Sequence, residues 1–160
     1  MRYFIELSYD GSPFVGWQRQ PTGDSVQLCL EDALKTLLQK PISVVGAGRT
    51  DAGVHARQLF AHVDLDDQVD QNLKFRLNKL LPKEIAVNSI LAVTDDAHAR
   101  FDATSRRYSY HITTQKDPFL KKRSYYFSKT LDIELMNQAA TDMLDHDDFK
   151  CFSKSRTDVK

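Results

Sequence analysis

The spacing of apolar residues changes from a period of two to a period of about 3.6 and back again, twice, within residues 1–93. Period-two or short apolar runs predict strands, whereas stripes at helical spacing predict helices. The predicted elements are, in order, a strand at 3–9, a helix at 25–39, strands at 42–45 and 59–63, a helix at 71–81 and a strand at 85–93. This order predicts an α+β fold of the ferredoxin-like β-α-β-β-α-β type, in which an antiparallel sheet carries its helices on one face.

The remainder of the chain contains fewer predicted elements. They are a strand at 107–113, a short strand at 125–127 and a helix at 130–145. This is too little structure to bury a core by itself. We therefore expect an N-terminal ferredoxin-like domain at 1–97, a connection at 98–104 and, at 105–160, the beginning of a second α+β domain that is truncated.

A glycine-rich run at residues 45–56 contains three glycines together with Arg49, Asp51 and His55. Glycine permits backbone angles that other residues avoid and lets a ligand approach closely. The spacing of Arg49 and Asp51 can hold a guanidinium beside a carboxylate, which favours the ionised acid. An ionised aspartate on such a loop suits nucleophilic catalysis, and the alternative is a tight turn with a structural ion pair.

The charge distribution is compatible with a polyanionic partner even though the net charge is zero. Lys and Arg together number 22, as do Asp and Glu. Between residues 97 and 129, however, eight Lys and Arg residues stand against only two Asp residues, a local balance of +6. Such a segment can bind a polyanion on one face, although an ordinary solvated surface has the same composition.

Cysteine usage and the N-terminal residues favour a reducing cytoplasm. The two cysteines, Cys29 and Cys151, lie far apart, which gives neither metal-ligand spacing nor a disulfide framework. Cys29 falls on the apolar stripe of the first predicted helix and is expected to be buried. No signal-peptide core opens the sequence and no apolar run has transmembrane length, so we expect a cytoplasmic protein without a membrane partner.

Eight short motifs resemble, in their order along the chain, those of the tRNA pseudouridine synthase A family. They are YDGS at 9–12, GWQRQ at 16–20, SVQ at 25–27, GRTDAGVHA at 48–56, LLP at 80–82, IAV at 85–87, HARFDAT at 98–104 and RRYSY at 106–110. The motif at 48–56 is similar to the family's catalytic loop at almost every position. The resemblance extends over essentially all 160 residues.

The resemblance implies that uridine in the anticodon stem-loop of tRNA is isomerised to pseudouridine, by a protein that works as a homodimer. Because the isomerisation consumes no redox equivalents and no external group, neither a cofactor nor a metal is expected. Asp51 matches the family's catalytic aspartate, and Arg49 is expected to assist it. From the chemistry alone, Asp51 could attack C1′ of the ribose, attack C6 of the uracil or remove a proton from the sugar, and each role needs shielding from bulk water.

Four further residues are expected to contact the substrate. Tyr108 matches the family's tyrosine that stacks on the uracil, whereas by spacing alone it would be one apolar residue of a half-buried strand face. Arg107 lies in the basic stretch that could contact phosphates. Arg19 could contact RNA, as could Trp17, which could equally pack on the core. His55 could orient the aspartate, bind phosphate or serve in packing.

Two other classes of function remain open. Asp51, His55, His62 and Asp64 include donor types that a metal-dependent hydrolase uses. A catalytically incompetent RNA-binding fragment is the second alternative, because small RNA-binding domains share the β-α-β-β-α-β order. The aromatic sheet motifs of those domains are not evident, and the pairing of Asp51 with Arg49 favours chemistry.

We predict that the 160-residue chain alone has little or no synthase activity. The resemblance implies that family members continue beyond residue 160 and carry there a second arginine near the catalytic aspartate, which nothing in residues 105–160 replaces. A tritium-release assay on tRNA that lacks the modification measures this activity. Robust turnover by the chain alone would refute the prediction.

Overall fold

The computed structural model describes residues 1–66 and 68–152 and divides the chain into two units, Met1–Tyr108 and Ser109–Lys160. The elements of the first unit are β1 (Arg2–Tyr9), α1 (Val26–Leu38), β2 (Val44–Gly46), β3 (Ala56–Asp64), α2 (Leu73–Leu80) and β4 (Ile85–Val93). Its four strands form one sheet in the order β2-β3-β1-β4, and every neighbouring pair is antiparallel. The predicted α+β class with an antiparallel sheet is thereby confirmed.

The core of the first unit lies on one face of the sheet. The residues of β1 that are buried there are Tyr3, Ile5, Leu7 and Tyr9. The residues between them are partly exposed, as the period-two pattern predicts. The same core cluster includes Leu30 and Leu34 of α1 and Leu73 and Leu77 of α2. Burying one such side chain contributes about 1.5–3 kcal/mol, so the apolar pattern selects which face of each element turns inward.

The N-terminus of helix α1 is bonded to the loop that follows β1. The Ser25 hydroxyl accepts a hydrogen bond from the Leu28 N–H at 3.2 Å and so acts as the N-cap. The carbonyls of Gly16 and Trp17 accept hydrogen bonds from the first two N–H groups of the helix, at 3.2 and 3.0 Å. These groups have no partner within a helix, so the loop both satisfies them and is fixed by them.

Several details of the first unit differ from the predictions, and one of them is that β3 begins at Ala56, three residues before the predicted start. Strand β2 is shifted to Val44–Gly46. The apolar stripe of the predicted helix at 71–81 places both Leu80 and Leu81 inward. Leu81 is buried as expected, but Leu80 is 49% exposed, because the helix ends at Leu80 and the backbone of Leu81 is extended. Cys29 is half-buried rather than buried because it lies at the border of the core, and this partial burial raises the pKa of its thiol.

The described part of the second unit, residues 109–152, has little regular structure. Strands β5 (Ile112–Thr113) and β6 (Tyr125–Tyr126) form a parallel pair, and α3 spans Ile133–Asp142. The predicted strand at 107–113 is therefore wrong for 107–111. Helix α3 is three residues shorter at each end than the predicted helix at 130–145. No helix within residues 1–66 or 68–152 has the length and apolar content needed to cross a membrane.

The physical reason for these differences is a lack of covering surface. Tyr110 is 78% exposed, and α3 buries no residue although its apolar side chains follow helical spacing. A strand needs a bonded neighbour and an amphipathic helix needs an apolar partner. Within residues 109–152, β5 and β6 pair with each other over only two residues each, and α3 has no buried residue that would mark an apolar partner.

Gly46, at the end of β2, allows the Trp17 indole to pack in the core. Trp17 is only 3% exposed, and a Cβ on Gly46 would overlap its ring. The sequence left open whether Trp17 contacts RNA or packs on the core, and the structure shows it in the core.

We predict that Gly46→Ala lowers the free energy of unfolding by about 1–3 kcal/mol, because the added methyl group must displace the indole. Gly48→Ala is the matched control, since a Cβ there would come no closer than 3.4 Å to its nearest neighbour, the Arg106 side chain. Urea unfolding followed by the fluorescence of Trp17, the only tryptophan, measures both variants. Equal stability of the two variants would contradict the overlap.

Candidate active site

The glycine-rich loop between β2 and β3 is held at its centre by the loop that follows β1. The Thr50 carbonyl accepts a hydrogen bond from the Trp17 N–H at 3.1 Å, and the Thr50 hydroxyl shares a 2.9 Å hydrogen bond with the Tyr9 hydroxyl. Gly16 has a φ of +111°, and a Cβ on it would overlap the Thr50 carbonyl oxygen. Only glycine readily combines this conformation with this approach. These contacts fix the backbone immediately before Asp51.

A second contact holds the C-terminal end of the glycine-rich loop. The Gly11 N–H donates to His55 Nδ1 at 3.2 Å, and Asp10 Oδ1 lies 3.1 Å from the same nitrogen. The two contacts exclude one another, because Nδ1 accepts from Gly11 only without a proton and donates to Asp10 only with one. A Cβ on Gly11 would also overlap the Val54 carbonyl. In either protonation state His55 therefore connects the two loops.

A third contact holds the N-terminal end of the loop. The Ala47 N–H donates to the Phe60 carbonyl of β3 at 2.7 Å. The Ala47 carbonyl accepts a 2.7 Å hydrogen bond from Nη2 of Arg106, which also donates to the Arg100 carbonyl at 2.9 Å. Both backbone polar groups of Ala47, at the start of the loop, are thus hydrogen-bonded.

Arg49 and Asp51 lie at the exposed tip of the loop. The Asp51 carbonyl accepts the Val54 N–H at 3.2 Å, and Gly53 has a φ of +77° in this turn. The expectation that Asp51 is shielded from bulk water does not hold for the described residues by themselves. The physical reason is that the three contacts above hold the backbone of the loop and leave its outer side uncovered.

Tyr9 and Tyr108 form the aromatic part of the candidate site. Burial at the end of β1 raises the pKa of the Tyr9 hydroxyl, the hydrogen bond with Thr50 opposes this shift, and the nearby Tyr108 hydroxyl adds to it. Tyr108 is 72% exposed and belongs to no strand, so its interpretation as part of a half-buried strand face is wrong. An exposed ring of this kind can stack on a nucleobase.

The other predicted contact residues lie on different segments. Arg19 forms an ion pair with Glu31 of α1 at 3.4 Å, and its side chain is 61% exposed while that of Glu31 is 11% exposed. Glu31 also accepts the Val44 N–H at 3.1 Å, so this polar cluster joins α1 to β2. Arg107 is exposed and directly follows Arg106 in sequence. Arg49, Asp51 and His55 share one loop, whereas Arg19 is paired with helix α1.

Like His55, the candidate metal ligands His62 and Asp64 have partners within the protein. His62 is 5% exposed, and its Nδ1 accepts the Ala99 N–H at 3.2 Å. Asp64 binds the Arg2 guanidinium through both carboxylate oxygens, each at 2.8 Å. Within residues 1–66 and 68–152, no group of three or more His, Cys, Asp or Glu side chains is arranged to hold a metal ion.

Comparison with known proteins decides the family. The family model described as tRNA pseudouridine synthase matches residues 7–102, more than half of the chain. The chain belongs to the tRNA pseudouridine synthase family. The matched range includes the whole glycine-rich loop and Gly11, Gly16 and Gly46, at each of which a Cβ would overlap a neighbouring group.

Curated members of this family are similar to nearly the whole chain. The tRNA pseudouridine synthase A of Parabacteroides distasonis is 52% identical over 161 residues, which cover 99% of this chain and 64% of that protein. The protein of the same name from Bacteroides thetaiotaomicron is 51% identical and covers 99% and 60%. The tRNA pseudouridine synthase A 2 of Clostridium perfringens is 35% identical and covers 98% and 65%. The chain thus spans less than two thirds of the length of these synthases.

Four residues that support the loop were not assigned this role from the sequence. They are Tyr9, Gly11, Gly16 and Arg106. Each lies in a motif that carries the resemblance to the synthase family, at 9–12, 16–20 or 106–110. That shared membership is the signal that could have identified them, because it groups segments that are far apart along the chain.

We predict that the first unit loses stability as the pH falls below that of neutral solution, through His62. Burial, and then the charges of Arg2 and His98, lower the pKa of His62 from its usual 6.5. The unfolded chain binds a proton on His62 near pH 6.5, whereas the folded chain binds it only at lower pH. Neutral His62 therefore contributes its full share of the stability above pH 6.5, and this share is lost as the pH falls below 6.5.

The free energy of unfolding in urea, measured at pH 7 and pH 5, tests this expectation. It should fall less in His62→Asn than in the original chain, because the Asn side-chain oxygen can still accept the Ala99 N–H without binding a proton. If both proteins lose the same stability, His62 is not the group responsible.

Proposed function

We propose that the protein containing this chain isomerises uridine to pseudouridine in the anticodon stem-loop of tRNA. The observation that carries this proposal is Asp51 at the exposed tip of a loop whose backbone is held at Ala47, Thr50 and His55. A reacting group is effective only when its geometry is maintained, and rigid support of this kind is what such a group requires. The names of the similar proteins, tRNA pseudouridine synthase A, agree with this assignment.

The reaction proceeds without a net change in oxidation state. The glycosidic bond between N1 and C1′ breaks, the uracil turns, and a bond forms between C5 and C1′. The proton on C5 departs, and N1 carries a proton in the product. Atoms and electrons balance within the nucleotide, so the proposed chemistry needs neither a cofactor nor a metal.

Asp51 is the catalytic residue in this proposal, and Arg49 assists it. The carboxylate can attack C1′, attack C6 of the uracil or remove a sugar proton, and all three roles use the ionised acid. In this proposal the positive charge next to the reacting group is that of Arg49, two residues away on the same exposed tip. Since Asp51 is exposed in the described chain, we infer that bound RNA and further parts of the whole protein cover the outer side of the loop.

The substrate contacts follow from the need to take the uridine out of its stack. Flipping a base costs a few kcal/mol, and contacts to phosphates offset that cost. In this proposal Tyr108 stacks on the flipped uracil, while Arg107, Arg19 and His55 contact the RNA. The exposure of Tyr108, Arg107 and Arg19 supports these assignments.

We also propose an organisation for the whole protein. In this proposal a domain at 1–97 has the ferredoxin-like arrangement. A connection follows at 98–104, and residues 105–160 form the beginning of a second α+β domain. The strand order β2-β3-β1-β4 supports the first part of this proposal. The whole protein acts as a homodimer in the cytoplasm.

A second candidate describes the 160-residue chain rather than the whole protein. In it the chain binds RNA but does not catalyse isomerisation. The observation in its favour is that Asp51 is exposed in the described residues. RNA binding that weakens steeply with salt, without formation of pseudouridine, would support this candidate.

We predict that Asp51→Asn in the whole protein lowers the turnover rate on the order of a thousandfold or more, because it removes the carboxylate and nearly preserves its shape. Release of tritium from C5 of uridine in tRNA measures the rate, and a filter-binding assay measures tRNA affinity. Asp32→Asn, on the exposed face of α1, is the matched control and should retain full activity. Undiminished turnover by Asp51→Asn would overturn the assignment, whereas lost turnover with unchanged affinity would support it.

A further inference from the structure

Arg106 has a different environment from that expected of a phosphate-binding arginine. It belongs to the basic stretch at 97–129, which the sequence associates with a polyanion. In the structure, however, one nitrogen of its guanidinium, Nη2, donates to two backbone carbonyls, those of Ala47 at 2.7 Å and Arg100 at 2.9 Å. Both distances are typical of strong charge-assisted hydrogen bonds.

We propose that Arg106 is a positioning residue of the synthase. It holds the loop that carries Asp51 by bonding the Ala47 carbonyl, and it does not serve as a tRNA phosphate contact. The expected effect of Arg106 on kcat rests on the proposed function. The structural part of the inference concerns only contacts within the first unit.

The first step of the argument is the position of Ala47. This residue directly precedes Gly48 and the turn that presents Asp51. Its N–H donates to the Phe60 carbonyl of β3 at 2.7 Å, so the residue already has one attachment to the sheet. The bond from Arg106 to the Ala47 carbonyl supplies a second attachment of the same residue.

The second step is that Arg106 connects the loop to another segment fixed on β3. The Arg100 carbonyl lies in the turn at 98–102, in which the Asp102 N–H donates to the His98 carbonyl at 2.9 Å. The Ala99 N–H of the same turn donates to the buried His62 of β3 at 3.2 Å. Arg106 therefore bridges two segments, each of which is separately bonded to that strand.

The third step explains why arginine suits this position. The planar guanidinium lies beside Gly48, where a Cβ would come within 3.4 Å of Arg106 Nε. One guanidinium nitrogen has two hydrogens in a fixed plane, which can serve two carbonyls at once. A lysine ammonium carries donors without that planar geometry, so Arg106→Lys is expected to keep the charge but only part of the support.

The test uses Arg106→Gln, Arg106→Lys and the original whole protein. If Arg106 positions the loop, Arg106→Gln lowers kcat by about tenfold to a hundredfold, Arg106→Lys recovers part of the loss, and the dissociation constant for tRNA is unchanged. The slope of log Kd against log salt concentration also stays the same. Arg76→Gln, on α2 and paired with Asp70, is the matched control and alters none of these quantities.

The opposite pattern would overturn the proposal. A phosphate contact predicts that Arg106→Gln weakens tRNA binding and reduces the salt slope by about 0.7–0.9, with kcat at saturating tRNA unchanged. Arg107→Gln, at the neighbouring residue that we assign to RNA contact, shows what that pattern looks like.

Amide hydrogen exchange provides a readout that does not depend on turnover. In Arg106→Gln the backbone amides of residues 47–53 should exchange at least about tenfold faster than in the original protein or in Arg76→Gln, because the loop opens more often. If these amides of Arg106→Gln exchange at the same rate as in the original protein, the positioning role is refuted, whatever the turnover of the variant. Conversely, absence of uridine isomerisation in the original protein defeats the proposed function and leaves the exchange result interpretable.

Discussion

The close approach of two loops at Gly16 and Thr50 is the constraint on which the rest of the candidate site depends. The Trp17 N–H bonds to the Thr50 carbonyl at 3.1 Å, and a side chain at Gly16 would occupy the position of that oxygen. The same two residues, Gly16 and Trp17, accept hydrogen bonds from the N-terminus of α1. The loop that carries Asp51 is therefore coupled to the helix and, through the buried Trp17 indole, to the core.

In this arrangement the backbone of the loop is held in place while the side chain that it carries is exposed. The backbone of the loop is bonded at Ala47, Thr50 and His55, while Asp51 between them remains open to solvent. A loop without such bonds would lose conformational entropy each time it adopted a reactive geometry. A loop that its own chain already holds in that geometry avoids this free-energy cost. The exposed outer side is then the side on which a flipped nucleotide would be received in the proposed function.

The sequence predicted the first unit more successfully than the second, and the reason is physical. Apolar periodicity reports which side of an element is buried, so it works where a partner surface exists, as for β1 and α1. It failed at 107–111, where the residues have the pattern without the partner, and it placed the start of α3 too early, since that helix begins only after its N-cap, Asp132. It also misjudged Leu80, since the helix ends at that residue and only the following Leu81, with its extended backbone, is buried.

By itself the sequence determined the order of the elements, the α+β class and the glycine-rich loop that holds Arg49, Asp51 and His55, because each depends on residues close together along the chain. Only the tertiary structure decided what supports that loop. The bonds of Arg106 to Ala47 and of Gly11 to His55 join residues 59 and 44 positions apart. Local spacing carries no information about such distances, because the path of the sheet, rather than the pattern of any one segment, brings the partners together.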